Sequence, residues 1–135
     1  MIQNLTASGC GRQGIAPGGN INFYGAGPAV EVRGVESFGS NRGIWHRLAS
    51  KKVLISDSYL HDNTGDGVDL DSFSQHVMVR RCRLENNQRC GVFMEEGASN
   101  NIVIDNTMVN NTYGVSFFTD LGGKDPGMYP TKDNW

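Results

Sequence analysis

The chain has 135 residues and a formal net charge of −2, which limits it to one domain or part of one. Its basic residues are scattered, which argues against a nucleic-acid partner, and no run of about 20 apolar residues could span a membrane. No secretory signal is visible after Met1. The three cysteines, Cys10, Cys82 and Cys90, have no paired spacing, so neither a zinc site nor a disulfide framework is expected.

Short strands are predicted from the N-terminal third of the chain onward. The 18 glycines and the scarcity of long helix-forming runs favour strands joined by tight turns. Gly14 and Ile15 are interpreted as a faint first copy of a repeat, with residues 16–27 as an inserted turn, and Val30 and Val32 as the start of the next copy. His46 falls at an inward position of that copy. We expect a hydrogen-bonded structural histidine there, either at a register slip or plugging an end coil.

A repeat of about 24 residues is clearest over residues 53–75, 77–100 and 102–120. Apolar residues alternate within each copy, which is the signature of a strand. The alternating pairs are Val53 and Ile55, Val77 and Val79, and Ile102 and Ile104 on a first strand, and Val68 and Leu70, Val92 and Met94, and Val115 and Phe117 on a second. A unit this short must stack on its neighbours to bury its apolar face. The pattern predicts an all-β fold, a parallel β-helix of about four to five coils over residues 1–120, with residues 121–135 as a tail or cap.

Two further columns recur once per copy. They are Asn63, Asn87 and Asn111, and Gly67, Gly91 and Gly114. Asparagine tolerates left-handed dihedral angles in a tight turn, and stacked asparagine amides can form hydrogen bonds from coil to coil. The glycines precede the second strand, where a positive φ or a bulge would require glycine.

The strand that carries Val68 and Leu70 also carries candidate functional residues. If these two side chains point into the core, alternation places Asp69 and Asp71 on the outside. Stacking the copies predicts two outward columns, Trp45–Asp69–Phe93–Ser116 and Arg47–Asp71–Glu95–Phe118, with Asp66 at the edge of the same face. The sequence therefore predicts an exposed face on which acids alternate with large aromatic side chains.

These residue types suit sugar chemistry, although acids near glycine-rich turns are also typical of a merely solvated surface. Asp71 and Glu95 would be stacked about 5 Å apart, which suits retaining glycoside hydrolysis, whereas Asp69 and Asp71, about 7 Å apart, would suit inversion. A lyase or epimerase needs a base and a cation. The candidate cations are Arg47 and a Ca²⁺ ion bound by Asp66, Asp69 and Asp71, although no complete metal-binding motif is present.

The repeat resembles those of the right-handed parallel β-helix, or pectate-lyase-like, superfamily. The resemblance covers roughly residues 30–120 and rests on an apolar strand, an asparagine pair and then Gly-Val, as in Leu84-Glu85-Asn86-Asn87…Gly91-Val92. It implies a right-handed helix. It is less specific about function, because the superfamily includes lyases, hydrolases, epimerases, phage tailspikes and adhesins.

A shorter stretch is similar to the Asn-Thr-Asp-Gly-Ile-Asp-Pro-Asp-Ser stretch of polygalacturonase-type glycosidases. It reads Asn63-Thr64-Gly65-Asp66-Gly67-Val68-Asp69-Leu70-Asp71-Ser72. The resemblance implies that this strand bears the active site and that Asp66 matches the family's first catalytic Asp. The sequence departs from the family one coil later, where Gln88-Arg89-Cys90 stands in place of Gly-Asp-Asp, and it has no Gly-His-Gly.

We therefore predict a carbohydrate-active β-helix that acts on or binds an acidic polysaccharide, as a lyase, hydrolase or epimerase. The acid/base candidates are Asp66, Asp69, Asp71 and Glu95, and the substrate-binding candidates are Trp45, Arg47, Phe93 and Phe118. The alternative is a non-catalytic phage-tail, adhesin or surface module that binds glycan or acts as a spacer. Either is expected outside the cell or on a cell or virion surface, as a homotrimer or as a fragment attached to β-helix coils that this sequence lacks.

Overall fold

The computed structural model describes residues 1–9, 19–24, 29–47, 52–118 and 134–135. All regular structure in these ranges is β-strand, and they contain no helix long and apolar enough to cross a membrane. The strands are β1 (Ile2–Gln3), β2 (Thr6–Ser8), β3 (Gly19–Tyr24), β4 (Val30–Arg33), β5 (Glu36–Phe38), β6 (Arg42–Arg47), β7 (Val53–Ser56), β8 (Tyr59–His61), β9 (Asp66–Asp71), β10 (Val77–Arg80), β11 (Arg83–Glu85), β12 (Cys90–Glu95), β13 (Ile102–Ile104), β14 (Thr107–Val109) and β15 (Tyr113–Phe118). The all-β prediction is confirmed.

The described strands form three parallel sheets of five strands each, and every coil gives one strand to each sheet. Sheet A has the order β1-β4-β7-β10-β13, sheet B the order β2-β5-β8-β11-β14, and sheet C the order β3-β6-β9-β12-β15. Neighbouring coils pair in register, as Val53 does with Val77 and Val68 with Val92. The fold is therefore the predicted parallel β-helix.

The core lies between the three sheets and consists of inward columns of apolar side chains. The fully buried members include Val32, Ile44, Ile55, Leu60, Val68, Leu70, Val79, Leu84 and Val92. Burying one Val or Leu side chain stabilises the folded state by roughly 1.5–3 kcal/mol. Because the inward side chains of the middle coils are covered by the coils on either side, stability comes mainly from contacts between coils. In β15, the last strand of sheet C, the inward Val115 and Phe117 stay exposed.

The third clear copy of the repeat is shifted by one residue from the predicted alignment. Val103, rather than Ile102 or Ile104, shares the inward column with Val79. Val103 packs against the core, and Ile104 is 47% exposed. The prediction that Ile102 and Ile104 point inward is therefore wrong. Residues 102–104 are all apolar, so apolar–polar alternation could not fix the register at this strand.

The predicted asparagine column forms a hydrogen-bonded ladder at the corner between sheets B and C. Asn63 Nδ2 donates to Asn87 Oδ1 at 2.9 Å, and Asn87 Nδ2 donates to Asn111 Oδ1 at 2.9 Å. The left-handed turn lies one residue earlier, with φ values of 51° at Asp62 and 54° at Asn86. The prediction of hydrogen bonding from coil to coil is confirmed.

The glycine column has a different cause from the predicted one. The structure gives none of Gly67, Gly91 and Gly114 a positive φ. A Cβ added at Gly67 would lie 2.8 Å from Gly91 O, and one added at Gly91 would lie 2.7 Å from Gly114 O. Close approach of the next coil, rather than a left-handed backbone, therefore requires glycine at Gly67 and Gly91.

The N-terminal strand of sheet C lies later in the chain than predicted. Ile21 pairs with Ile44, so Gly19–Tyr24 forms β3 inside the segment that was predicted to be an inserted turn. Gly14 and Ile15, the predicted first copy, lie outside the described residues. The inserted-turn prediction is therefore wrong for residues 19–24.

His46 is the structural histidine that the sequence predicts. It is in register with Leu70, in the second of the five strands of sheet C, and it is fully buried. Its Nδ1 lies 2.6 Å from Ser74 Oγ. Burial lowers the pKa of His46 to about 4, so the imidazole is neutral near pH 7. The strand has no register slip at His46, and His46 does not lie in an end coil.

Backbone hydrogen bonds join the last two residues to the edge strand of sheet A. Trp135 N donates to Asn101 O at 2.8 Å, and Val103 N donates to Trp135 O. Asn134 repeats the bonding of the coil before it, because its Oδ1 accepts from Asn101 N at 3.0 Å and its Nδ2 donates to Ala98 O at 3.1 Å. Within the predicted tail or cap, residues 121–135, these two residues are the described part, and they cover the edge of β13.

Candidate functional site

Sheet C carries the candidate residues on its outer face. Val68 and Leu70 of β9 are fully buried in the core, so Asp69 and Asp71 between and after them point outward. The observed register aligns the outward columns as Trp45–Asp69–Phe93–Ser116 and Arg47–Asp71–Glu95–Phe118. The two predicted columns are therefore confirmed as positions in the fold.

Three of the four acids of this face are not open to solvent. Asp66 and Asp69 are 0% exposed, and Asp71 is 5% exposed. The prediction that they form an exposed surface is therefore wrong. Removing a carboxylate from water costs several kcal/mol unless it is paired, and each of these acids contacts a guanidinium group. The pairs are Arg89 with Asp66, Arg42 with Asp69, and Arg47 with Asp71.

Arg42 and Arg89 are site residues that the sequence pattern did not single out. Asp66 Oδ1 accepts from Arg89 Nε at 2.8 Å and from the backbone N of Cys90 at 3.1 Å. Arg42 is in register with Asp66, and its Nε contacts Asp69. Stacking one more column, the residues directly before the glycines, would have placed Arg42 beside Asp66.

Trp45 lies between two guanidinium groups rather than on an open surface. The Cζ atoms of Arg42 and Arg47 are each 4.8 Å from the ring centroid, and the side chain is only 6% exposed. The indole Nε1 donates to Asp71 Oδ2 at 3.0 Å. The ring therefore packs the arginine–carboxylate layer, and the prediction that Trp45 is an exposed sugar platform is wrong.

The two phenylalanines of this face differ in their exposure. Phe93 is 6% exposed because Arg89 lies over its ring, with Cζ 3.9 Å from the centroid. Phe118 is 48% exposed and stacks on Phe93 at a centroid distance of 6.3 Å. The prediction of an exposed ring is therefore wrong for Phe93, whereas Phe118 presents an accessible ring.

A pocket of about 210 Å³ lies beside Phe118 on this face. It is lined by Arg89, Cys90, Phe93, Glu95, Tyr113, Ser116 and Phe118. Burial, followed by repulsion from Asp71, raises the pKa of Glu95 to about 7, against the opposing effect of Arg89. A carboxyl group that exchanges its proton near neutral pH has the property required of a general acid or base.

The family model described as "Right handed beta helix region" matches residues 1–123. The chain belongs to this family. The match confirms the right-handed parallel β-helix that the repeat resembles. No curated protein and no solved structure matches the chain. The similarity to polygalacturonase-type glycosidases therefore stays a prediction.

Burial also affects how the other side chains on the outer face of sheet C of this β-helix can react. Burial raises the pKa of Cys90 to about 12, so the thiol stays protonated and is a poor nucleophile. Burial also raises the pKa of Asp69 well above its usual range, although Arg42 lowers it. Within the described ranges, no three or more Asp, Glu, His or Cys side chains are grouped to hold a metal ion.

Proposed function

We propose that this β-helix protein binds an acidic polysaccharide on the outer face of sheet C, with one uronate unit in the pocket beside Glu95. The observation that carries the proposal is that Glu95, Arg89 and Phe118 line the same pocket. A uronate sugar offers a carboxylate, several hydroxyl groups and an apolar ring face. A guanidinium, a carboxyl group and an exposed aromatic ring are the protein groups that complement them.

The charge of the pocket is compatible with an anionic sugar. Asp66 is paired with Arg89 and is fully buried. Asp69 contacts Arg42, and the pKa of Glu95, raised to about 7, leaves a fraction of that carboxyl group uncharged near neutral pH. The Arg89 side chain is 40% exposed, so its guanidinium is accessible to a substrate carboxylate as well as to Asp66.

Hydrolysis by general acid–base catalysis is one reaction that the residues of this pocket could carry out. Glu95 and Asp71 occupy adjacent strands, which places their Cα atoms about 4.8 Å apart, and carboxyl groups about 5 Å apart are typical of retaining glycosidases. Asp71 is held by Arg47 and by Trp45 Nε1. Glu95 in its protonated form would donate its proton to the glycosidic oxygen as the C1–O bond breaks, and would then take a proton from the water that attacks C1, with Asp71 beside it to stabilise positive charge on the sugar.

Elimination would use the same groups in a different way. Ionised Glu95 would remove the C5 proton of the uronate, and Arg89 would neutralise the carboxylate next to that carbon. The electron pair would form the C4–C5 double bond as the C4–O glycosidic bond breaks, and the leaving oxygen would take a proton from Glu95 or from water. In either reaction the buried acids Asp66 and Asp69 act by holding Arg89 and Arg42 in place. The predicted acid/base candidates thus divide into Glu95, which lines the pocket and would act on the sugar, and three buried acids. Of these three, Asp71 lies beside Glu95, and Asp66 and Asp69 are positioning residues.

Binding and turnover measured on the same variants test this proposal. Wild type, Glu95→Gln and Phe118→Ala are compared on a panel of uronic-acid oligomers and on neutral oligomers of equal length. We expect wild type to bind the uronic-acid oligomers selectively and Phe118→Ala to bind them roughly tenfold more weakly. Glu95→Gln should retain most of the binding and lose turnover. Glu85→Gln, on the outer face of sheet B, is the matched control.

Two results would contradict the proposal. One is a wild-type protein that binds no uronic-acid oligomer. The other is unchanged binding and turnover in both Glu95→Gln and Phe118→Ala. A wild type that binds the oligomers without converting any of them would instead favour the second candidate function.

The second candidate is a non-catalytic glycan-binding or spacer module on a cell or virion surface. The observation that favours it is that arginines already pair with Asp66, Asp69 and Asp71, which stabilises this face without a substrate. Light scattering of the intact chain tests the homotrimer that this reading predicts. A monomer with turnover of a uronic-acid oligomer would exclude it.

A further inference from the structure

The outer face of sheet A has an apolar central column. Leu54 of β7 and Met78 of β10 are paired neighbours, and Glu31 of β4 precedes them in the same column. Both apolar side chains are half-buried, on the opposite side of their strands from the core. A pocket of about 520 Å³ is lined by these three residues. This face therefore differs from sheet C, whose outward columns contain ion pairs.

Basic residues lie at both edges of the sheet A pocket. Lys52 and His76 come directly before β7 and β10, and both adopt positive φ, at 62° and 57°. Arg80 ends β10 at the opposite edge, and all three residues line the pocket. Since a strand rises about 3.3 Å per residue, the two edges are about 13 Å apart. Among the described lining residues, Glu31 is the one acid.

Arg80 has a donor without a hydrogen-bond partner. Its Nε is buried, and the described part of the chain provides no acceptor for it. Leaving a buried donor without a partner is unfavourable, and more so when the donor is charged. The neighbouring arginines differ, because Arg33 and Arg81 both pair with Asp57. Arg80 lines the pocket and forms no ion pair with a described acid, so its guanidinium is the group of this face with which an anionic ligand would pair.

We propose that the pocket on sheet A binds a small amphipathic carboxylate, with its acyl chain on Leu54 and Met78 and its carboxylate on Arg80. The pocket volume falls in the range of small-molecule sites, which favours a free carboxylate over an extended macromolecular partner. The basic edges favour an anion, and the apolar floor favours a hydrocarbon body over a sugar. The site is separate from the outer face of sheet C and does not depend on polysaccharide binding.

Octanoate is the probe, and octanol and acetate separate the contributions of its chain and its charge. Each is titrated into the isotope-labelled 135-residue chain while backbone amide shifts are followed. Octanoate should shift amides of β7 and β10, and octanol and acetate should each bind at least about tenfold more weakly. Arg80→Gln should weaken octanoate binding about tenfold, and Glu31→Gln should tighten it about two- to threefold.

Two more variants complete the test. Met78→Thr replaces an apolar side chain of the pocket with threonine, a residue that strands favour. It should weaken octanoate binding about tenfold. Arg83→Gln, an exposed arginine of sheet B, is the control and should leave binding unchanged. Thermal unfolding without ligand checks that each variant is folded. Equal affinity for octanol and octanoate would overturn the role of the carboxylate. Unchanged affinity in both Arg80→Gln and Met78→Thr would overturn the site.

Discussion

Replacing His46 by leucine should make the protein more resistant to acid. Position 46 lies in the same inward column as Leu70, so the neighbouring coil already accommodates a leucine in an equivalent environment. Ser74 Oγ, the hydrogen-bond partner of His46 Nδ1, keeps its hydrogen bond to Asp71 O at 2.6 Å. The substitution therefore removes a titrating group without leaving a buried hydroxyl unpaired.

The magnitude follows from the pKa of His46. Burial lowers this pKa from 6.5, its ordinary value, to about 4 in the folded protein. Between these values the unfolded chain binds a proton that the folded protein does not, so stability is complete above pH 6.5 and is lost as the pH falls towards 4. One pKa unit corresponds to about 1.4 kcal/mol, so the loss is about 2 kcal/mol at pH 5 and about 3 kcal/mol at pH 4.

Urea unfolding at pH 7 and at pH 5 measures this effect. Between these conditions wild type should lose about 2 kcal/mol more than His46→Leu, because the other titrating groups are common to both proteins and cancel. His76→Asn is the control, since His76 is exposed and has a φ of 57° that asparagine tolerates. Equal losses in wild type and His46→Leu would refute the reasoning.

Further substitutions test the ladder, the glycine column and the pocket carboxyl. Asn87→Ala removes the middle amide of the ladder and should lower the free energy of unfolding by about 3 kcal/mol in urea titrations, whereas the exposed control Gln88→Ala should change it by less than about 0.5 kcal/mol. Gly67→Ala should cost about 1–3 kcal/mol, because its Cβ would lie 2.8 Å from a carbonyl oxygen of the next coil, and Gly114→Ala should cost less, since its nearest neighbour is 3.3 Å away. Since the pKa of Glu95 is raised from 4.5 to about 7, wild type should lose about 1–2 kcal/mol relative to Glu95→Gln as the pH rises through that window, after allowance for solvent screening. A wild type that gains stability relative to Glu95→Gln over that window would contradict the raised pKa.

The fold could be predicted because its coils are short and nearly identical in length. The alternation at Val68 and Leu70 recurs at Val92 and Met94, so the inward columns follow directly from the spacing of the repeat. The prediction was wrong at two segments, for different reasons. Residues 102–104 are all apolar, so no polar residue there distinguishes the core side from the solvent side. β3 does alternate, as Asn20-Ile21-Asn22-Phe23, but it lies outside the clear repeats, and Ile21 precedes its partner Ile44 by 23 residues rather than 24.

The positions of the candidate site could be predicted, but its exposure could not. Stacking placed Asp69, Phe93 and Glu95 on one face, as the register shows. Whether these side chains are covered depends on the direction in which long arginine side chains extend. The spacing of the repeat does not contain that information. Arg89 covers Phe93 and pairs with Asp66 from the neighbouring coil. The pKa of Glu95 likewise depends on burial that sequence spacing does not reveal.

The central claim is that an acidic polysaccharide binds beside Glu95. The most direct measurement is the change in backbone amide shifts when an oligouronate is added to the isotope-labelled protein. We predict that the largest changes occur in β12 and β15, around Glu95 and Phe118, and that a neutral oligosaccharide of the same length causes none. The absence of binding, or changes confined to sheets A and B, would contradict the claim.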